Sequence, residues 1–76
     1  MDEASEADAK RFGRNLFLAR RRRGYSQARL ATRAALSVDG VQKIELGKRS
    51  PRLATILALA DALGVAPCEL LKGLRP

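Results

Sequence analysis

Nucleophilic catalysis assisted by an imidazole base is closed to this chain, which has no His, and its single Cys rules out both a Cys/His zinc site and an intramolecular disulfide. The chain therefore reads as not an enzyme, with no metal and no cofactor. The side chains whose types and spacing do suggest chemistry lie between residues 38 and 46. At about 100° per residue, a helix over this stretch turns Val41 and Ile44 to one side and Asp39, Gln42, Lys43 and Leu46 to the other. A carboxylate, an amide and an ammonium on one short face can match the donors and acceptors that base edges display in the major groove of B-DNA, which admits a single helix. Any solvated helix face has a similar look, so the weight falls on what surrounds it.

The charge balance points the same way. The 76 residues carry 15 basic and 8 acidic side chains, for a net charge of +7. Asp2, Glu3, Glu6 and Asp8 all fall in the first eight positions, which leaves every basic residue opposed by only four acids over the rest of the chain. Such a body attracts polyanions. No apolar run approaches the roughly 18 residues of a membrane span, and the N-terminus is acidic where a signal peptide is basic, so a soluble, cytoplasmic protein is expected. The arginine run does not alternate with an apolar face, which argues against a membrane-surface helix.

Seventy-six residues make one small domain, and the elements that must position the polar face are all helical. Turn signals at Gly24 to Ser26, Leu36 with Ser37, Gly47 to Pro51 and Gly64 to Pro67 divide the chain into about five short helices. Residues 1–9 read as an acidic, frayed tail and 10–76 as the domain. In the first helix Ser5 and Asp8 fit a weak capping box, Phe12, Leu16, Ala19 and Arg23 share a face, and Gly24 supplies a stop. Arg20, Arg21, Arg22 and Arg23 lie where cations favour a helix C-terminus. Ser26 caps a second helix with Leu30, Ala31 and Ala34 inward, and Ser37 caps the third. Two short helices joined by so few residues must cross steeply, as in a helix-turn-helix unit. A fourth, starting near Pro51 or Arg52, carries Leu53, Ile56, Leu57, Leu59, Ala60 and Leu63, more apolar surface than one stripe requires. Pro67 opens a last helix bearing Leu70 and Leu71 and terminated by Gly73.

From Phe12 to Leu71 the order of residues resembles the lambda-repressor-like helix-turn-helix family of Cro/C1 or XRE type. The carriers are Phe12-Gly13 with Leu16, Arg20, Gly24-Tyr25-Ser26-Gln27, Leu30-Ala31, Val41 and Ile44-Glu45 with Gly47, Ser50-Pro51, Leu59-Ala60, Leu63-Gly64-Val65 and Leu70-Leu71. The resemblance implies a compact five-helix bundle whose second and third helices form the helix-turn-helix, and a structural salt bridge between Arg20 and Glu45. The helical angles agree, since each residue sits about 60° from the centre of its helix's inward face. For double-stranded DNA the resemblance implies base contacts from Ser37, Val38, Asp39, Gln42 and Lys43 and phosphate contacts from Ser26, Gln27, Lys48, Arg49, Ser50 and Arg52. Gln42 suits adenine, Lys43 guanine, Asp39 cytosine and Val38 a thymine methyl. The implied function is a sequence-specific transcriptional regulator acting as a homodimer on a palindromic operator. The fourth and fifth helices are the expected dimer interface, through Leu57, Leu70, Leu71 and Leu74.

Four residues depart from the pattern. Ala35 stands where the family commonly has Gly, and in a left-handed backbone its methyl costs on the order of 1 kcal/mol. Gly40 inside the third helix costs about 1 kcal/mol relative to Ala, unless it serves a close approach to the duplex. Leu46 replaces a polar residue, and Asp39 brings a negative charge near phosphates. Phe17 and Leu18 point away from the inward face of the first helix as a possible docking patch. A competing reading is therefore a protein–protein interaction module, antitoxin-like or a regulatory adaptor, with a protein partner on that patch and the arginines. Cys68 is expected to be an inert, partly buried thiol.

Overall fold

The computed structural model describes residues 3–74 and places five helices in the order α1 (Glu3–Arg23), α2 (Gln27–Ala34), α3 (Val38–Glu45), α4 (Leu53–Leu63) and α5 (Pro67–Leu70). α1 starts at Glu3, so the segment read as a frayed tail is helical over its described part, and the boundary drawn at residue 10 falls inside one continuous helix. The position assigned to a Ser5 cap likewise lies within the helix. The alanines and acids of this segment explain the difference, since Ala has the highest helix propensity and negative charge favours a helix N-terminus. Ala9 is buried.

The local endings follow the sequence signals. Ser26 Oγ accepts from the Arg29 N–H at 3.0 Å, and Ser37 Oγ accepts from the Gly40 N–H at 2.9 Å, so each hydroxyl satisfies a donor that the first helical turn leaves free. α2 ends on Ala35 at φ 56° and ψ 42°, the left-handed conformation in which a methyl is disfavoured. The turn tolerates it because the Leu36 N–H bonds the Ala31 carbonyl at 2.8 Å and closes the helix end.

All five helices contribute to one core. Phe12 and Leu16 of α1, Leu30 of α2, Val41 and Ile44 of α3, Leu59 and Leu63 of α4 and Leu70 of α5 are each essentially inaccessible to solvent. Two contacts fix the ends of this arrangement. Gly13 is buried where α1 meets α3, and a methyl there would come within 2.4 Å of the Ile44 carbonyl oxygen and 2.6 Å of that of Glu45. At the far end, the Asn15 amide donates to the carbonyls of Leu70 at 3.0 Å and Lys72 at 2.8 Å, tying the close of α5 to α1. No helix among the described residues is long and apolar enough to cross a membrane.

Candidate nucleic-acid interface

α3 shows two sides, as its periodicity requires. Val41 and Ile44 are in the core, while Ser37, Val38, Asp39, Gln42, Lys43 and Leu46 are exposed. The exposed set forms one short, mostly polar face. On it Lys43 Nζ and Asp39 Oδ2 are 3.1 Å apart, one helical turn from each other, so the acid that stands near any approaching phosphate is matched by its neighbour. Both side chains remain well solvated, so the pair is electrostatically soft and exchangeable.

The last turn of α3 is held in a different way. Arg20 Nε and Nη2 donate to Glu45 Oε2 and Oε1 at 2.6 and 3.0 Å, a bidentate pair whose side chains are only 9% and 5% exposed. Both groups make a further hydrogen bond: Arg20 Nη1 donates to the Tyr25 carbonyl at 2.9 Å, and Glu45 Oε1 accepts from the Gln27 amide at 3.0 Å. One network therefore links α1, the turn before α2, the start of α2 and the end of α3. Gln27, expected to face phosphate, is half-buried and a member of this brace.

Beside the first turn of α3 lies a recess of about 320 Å³ lined by Ser37, Gly40, Arg49, Ser50 and Arg52. Gly40 is buried against it: a methyl there would lie 3.1 Å from Ser37 Oγ and 3.4 Å from an Arg49 guanidinium nitrogen. The glycine thus makes room for the cap and for Arg49. Lys48 is exposed on the same loop. The loop cations and the polar face of α3 accordingly adjoin one another at Ser37 and Gly40.

Three other expectations change. Leu70 is 0% exposed, one of the core residues, and cannot line an interface between folded chains; a four-residue helix has too little periodicity to show which way it faces. Leu74 is half-buried and packs against the core. Of the apolar residues proposed for dimer contacts, Leu57 and Leu71 are on the surface, joined by Leu53, which is 70% exposed and belongs to the apolar surface of α4 that exceeds one stripe. Phe17 and Leu18 do not form one patch. Phe17 lies beside Arg14, Gln42 and Leu46, under the guanidinium groups of Arg20 and Arg21 at 5.4 and 5.8 Å, whereas Leu18 opens onto a groove with Arg22, Val65 and Glu69. Cys68 is exposed rather than partly buried.

Comparison with known proteins gives this geometry a context. A family model described as a helix-turn-helix domain matches residues 11–72. An SPbeta prophage-derived uncharacterized HTH-type transcriptional regulator, YonR of Bacillus subtilis (strain 168), is 42% identical over 62 residues, covering 82% of this chain and 57% of its own. The chain thus spans little more than half the length of that relative. The uncharacterized HTH-type transcriptional regulator y4dJ of Sinorhizobium fredii (strain NBRC 101917 / NGR234) is 36% identical over 61 residues, covering 80% of this chain and 79% of its own. Among solved structures, the restriction-modification controller protein C.AhdI from Aeromonas hydrophila superimposes with a TM-score of 0.82 at 41% identity, covering 84% of this chain and 97% of that one. The hypothetical transcription factor NHTF from Neisseria gives a TM-score of 0.81 at 31% identity, covering 88% and 77%.

Proposed function

Because this chain belongs to the lambda-repressor-like, Cro/C1-type helix-turn-helix family, we propose that it is a sequence-specific double-stranded DNA-binding transcriptional regulator that acts in the cytoplasm as a homodimer on a palindromic operator. α3 enters the major groove by its first two turns. Ser37, Val38, Asp39, Gln42 and Lys43 meet base edges there, and the Asp39–Lys43 pair opens as each finds a partner on the duplex. Lys48, Arg49, Ser50 and Arg52 contact phosphate on one flank of the helix. Ser26 and the start of α2 do so on the other, with Gln27 acting through its bond to Glu45 as well as toward the backbone.

The observation that carries this reading is the combination found in α3: a polar, exposed leading face on a helix whose far end is locked to the scaffold by a buried bidentate ion pair. Precise presentation of a few side chains is what sequence reading requires. Two copies related by a twofold axis present their third helices to successive major grooves about 34 Å apart. Leu53 and Leu57 of α4 and Leu71 at the close of α5 are exposed and take part in that contact.

Selection of bound duplexes from a random pool tests the whole proposal. It is expected to return a twofold-symmetric motif whose half-sites are centred about one helical turn apart. A pool that stays unenriched contradicts it, and an enriched but asymmetric motif contradicts the dimer.

A further inference from the structure

Between Asp8 and Asp39 the sequence holds nine basic residues and not one acid. Three of these converge on a single ring. The guanidinium carbons of Arg29, Arg33 and Arg23 lie 5.0, 5.4 and 5.5 Å from the centroid of Tyr25, and Arg23 Nε donates to the phenol oxygen at 3.3 Å. They come from two elements, the last turn of α1 and α2. All three are exposed, and among the described residues none is paired with a carboxylate. The negative face of the ring offsets part of their mutual repulsion, and a bound anion offsets more of it.

The place of the cluster identifies the kind of anion. Tyr25 directly precedes Ser26 and Gln27, at the start of α2. Leu30, Ala31 and Ala34 turn the opposite side of α2 into the core, so Arg29 and Arg33 face outward. Gln27 reaches the end of α3 from the same first turn. A polyanion lying along the polar face of α3 and past the start of α2 continues toward this cluster. Apart from the Arg23 Nε–H, which the phenol oxygen takes, guanidinium groups held against a ring keep N–H donors directed outward, which suits paired donation to phosphate oxygens. The cations also hold the Tyr25 phenol below its ordinary pKa, chiefly through the Arg23 hydrogen bond, in keeping with a locally positive potential.

We propose that Arg23, Arg29 and Arg33, gathered on Tyr25, form a binding surface for the phosphodiester backbone of duplex DNA that flanks the segment read by α3. The inference rests on the regulator reading above and extends the footprint outward without adding base specificity.

Tyr25 is the only tyrosine and there is no Trp, so tyrosine emission from the full chain reports on the cluster directly. The duplex selected from the random pool is prepared in two lengths, one ending at the edges of the half-sites and one extended on both sides by about one helical turn of arbitrary sequence. Extension is expected to change Tyr25 emission, to tighten binding by about tenfold, and to steepen the dependence of log affinity on log salt by about 0.9 for each added phosphate contact. The R29A/R33A double variant removes two exposed side chains. It is expected to lose the gain from extension and to keep the ranking of sequences.

An intact ranking with no effect of extension on affinity or emission overturns this inference and leaves the regulator reading standing. Conversely, a chain that ranks no sequence above another but whose emission responds to arbitrary duplex only when Arg29 and Arg33 are present loses the regulator reading and keeps the surface. A response to polyglutamate and not to duplex overturns the inference in favour of an acidic protein partner.

Discussion

The two ends of α3 are held by different physics. At the last turn, Glu45 is buried in a bidentate pair with Arg20 and takes a further hydrogen bond from Gln27, while the backbone there is in contact with Gly13 of α1. At the first turns, the polar side chains are in solvent, the ion pair is exposed, and the backbone is held by the Ser37 cap and by the packing of Gly40 and Val41, with no buried charge pair there among the described residues. The buried end fixes the direction of the helix axis, and the open end keeps its hydrogen-bonding groups available at little desolvation cost. A reading element requires both, and a helix of eight residues provides them by dividing the tasks along its length.

That division is broken most severely at the buried end. Glu45→Ala leaves the Arg20 guanidinium buried without its counter-charge, and a loss of about 3 to 5 kcal/mol is expected in denaturant unfolding. Gly13→Ala drives a methyl into two backbone carbonyls that no rotamer change can move, and a loss of about 1 to 3 kcal/mol is expected in the same measurement. At the open end the effects belong to binding. Asp39→Ala removes an exposed i, i+4 pair, so stability is expected to change by under about 0.5 kcal/mol, while affinity for duplexes in general rises because a negative charge has left the path of the phosphates. A stability loss at Asp39 comparable to that at Glu45 would erase the distinction between the two ends.

The sequence revealed elements with clear periodicity and clear punctuation. The inward sides of α2 and α3 followed from the spacing of Leu30, Ala31, Ala34, Val41 and Ile44, and the Arg20–Glu45 pair from its place in the family pattern together with helical angles. What stayed hidden involved either short elements or groups assembled from more than one element. Four residues of α5 could not show that Leu70 faces the core, and its tether to Asn15 spans 55 positions. The acids before Lys10 read as a solvated tail, although negative charge and Ala favour the start of a helix. Gly40 was legible as a cost but not as space for Ser37 and Arg49, because Arg49 arrives from the following loop. The Tyr25 cluster draws its cations from two helices, and only the absence of acids over that stretch of sequence hinted at it.

The central claim is that the open face of α3 reads bases while the adjoining loop holds the backbone. The most direct test compares affinities of Gln42→Ala and Arg49→Ala across a panel of duplexes carrying single base-pair changes. Gln42→Ala is expected to relax preference at one or two base pairs at a cost of about 1 to 3 kcal/mol, and Arg49→Ala to weaken every duplex alike. Two variants with the same profile across the panel would contradict the claim.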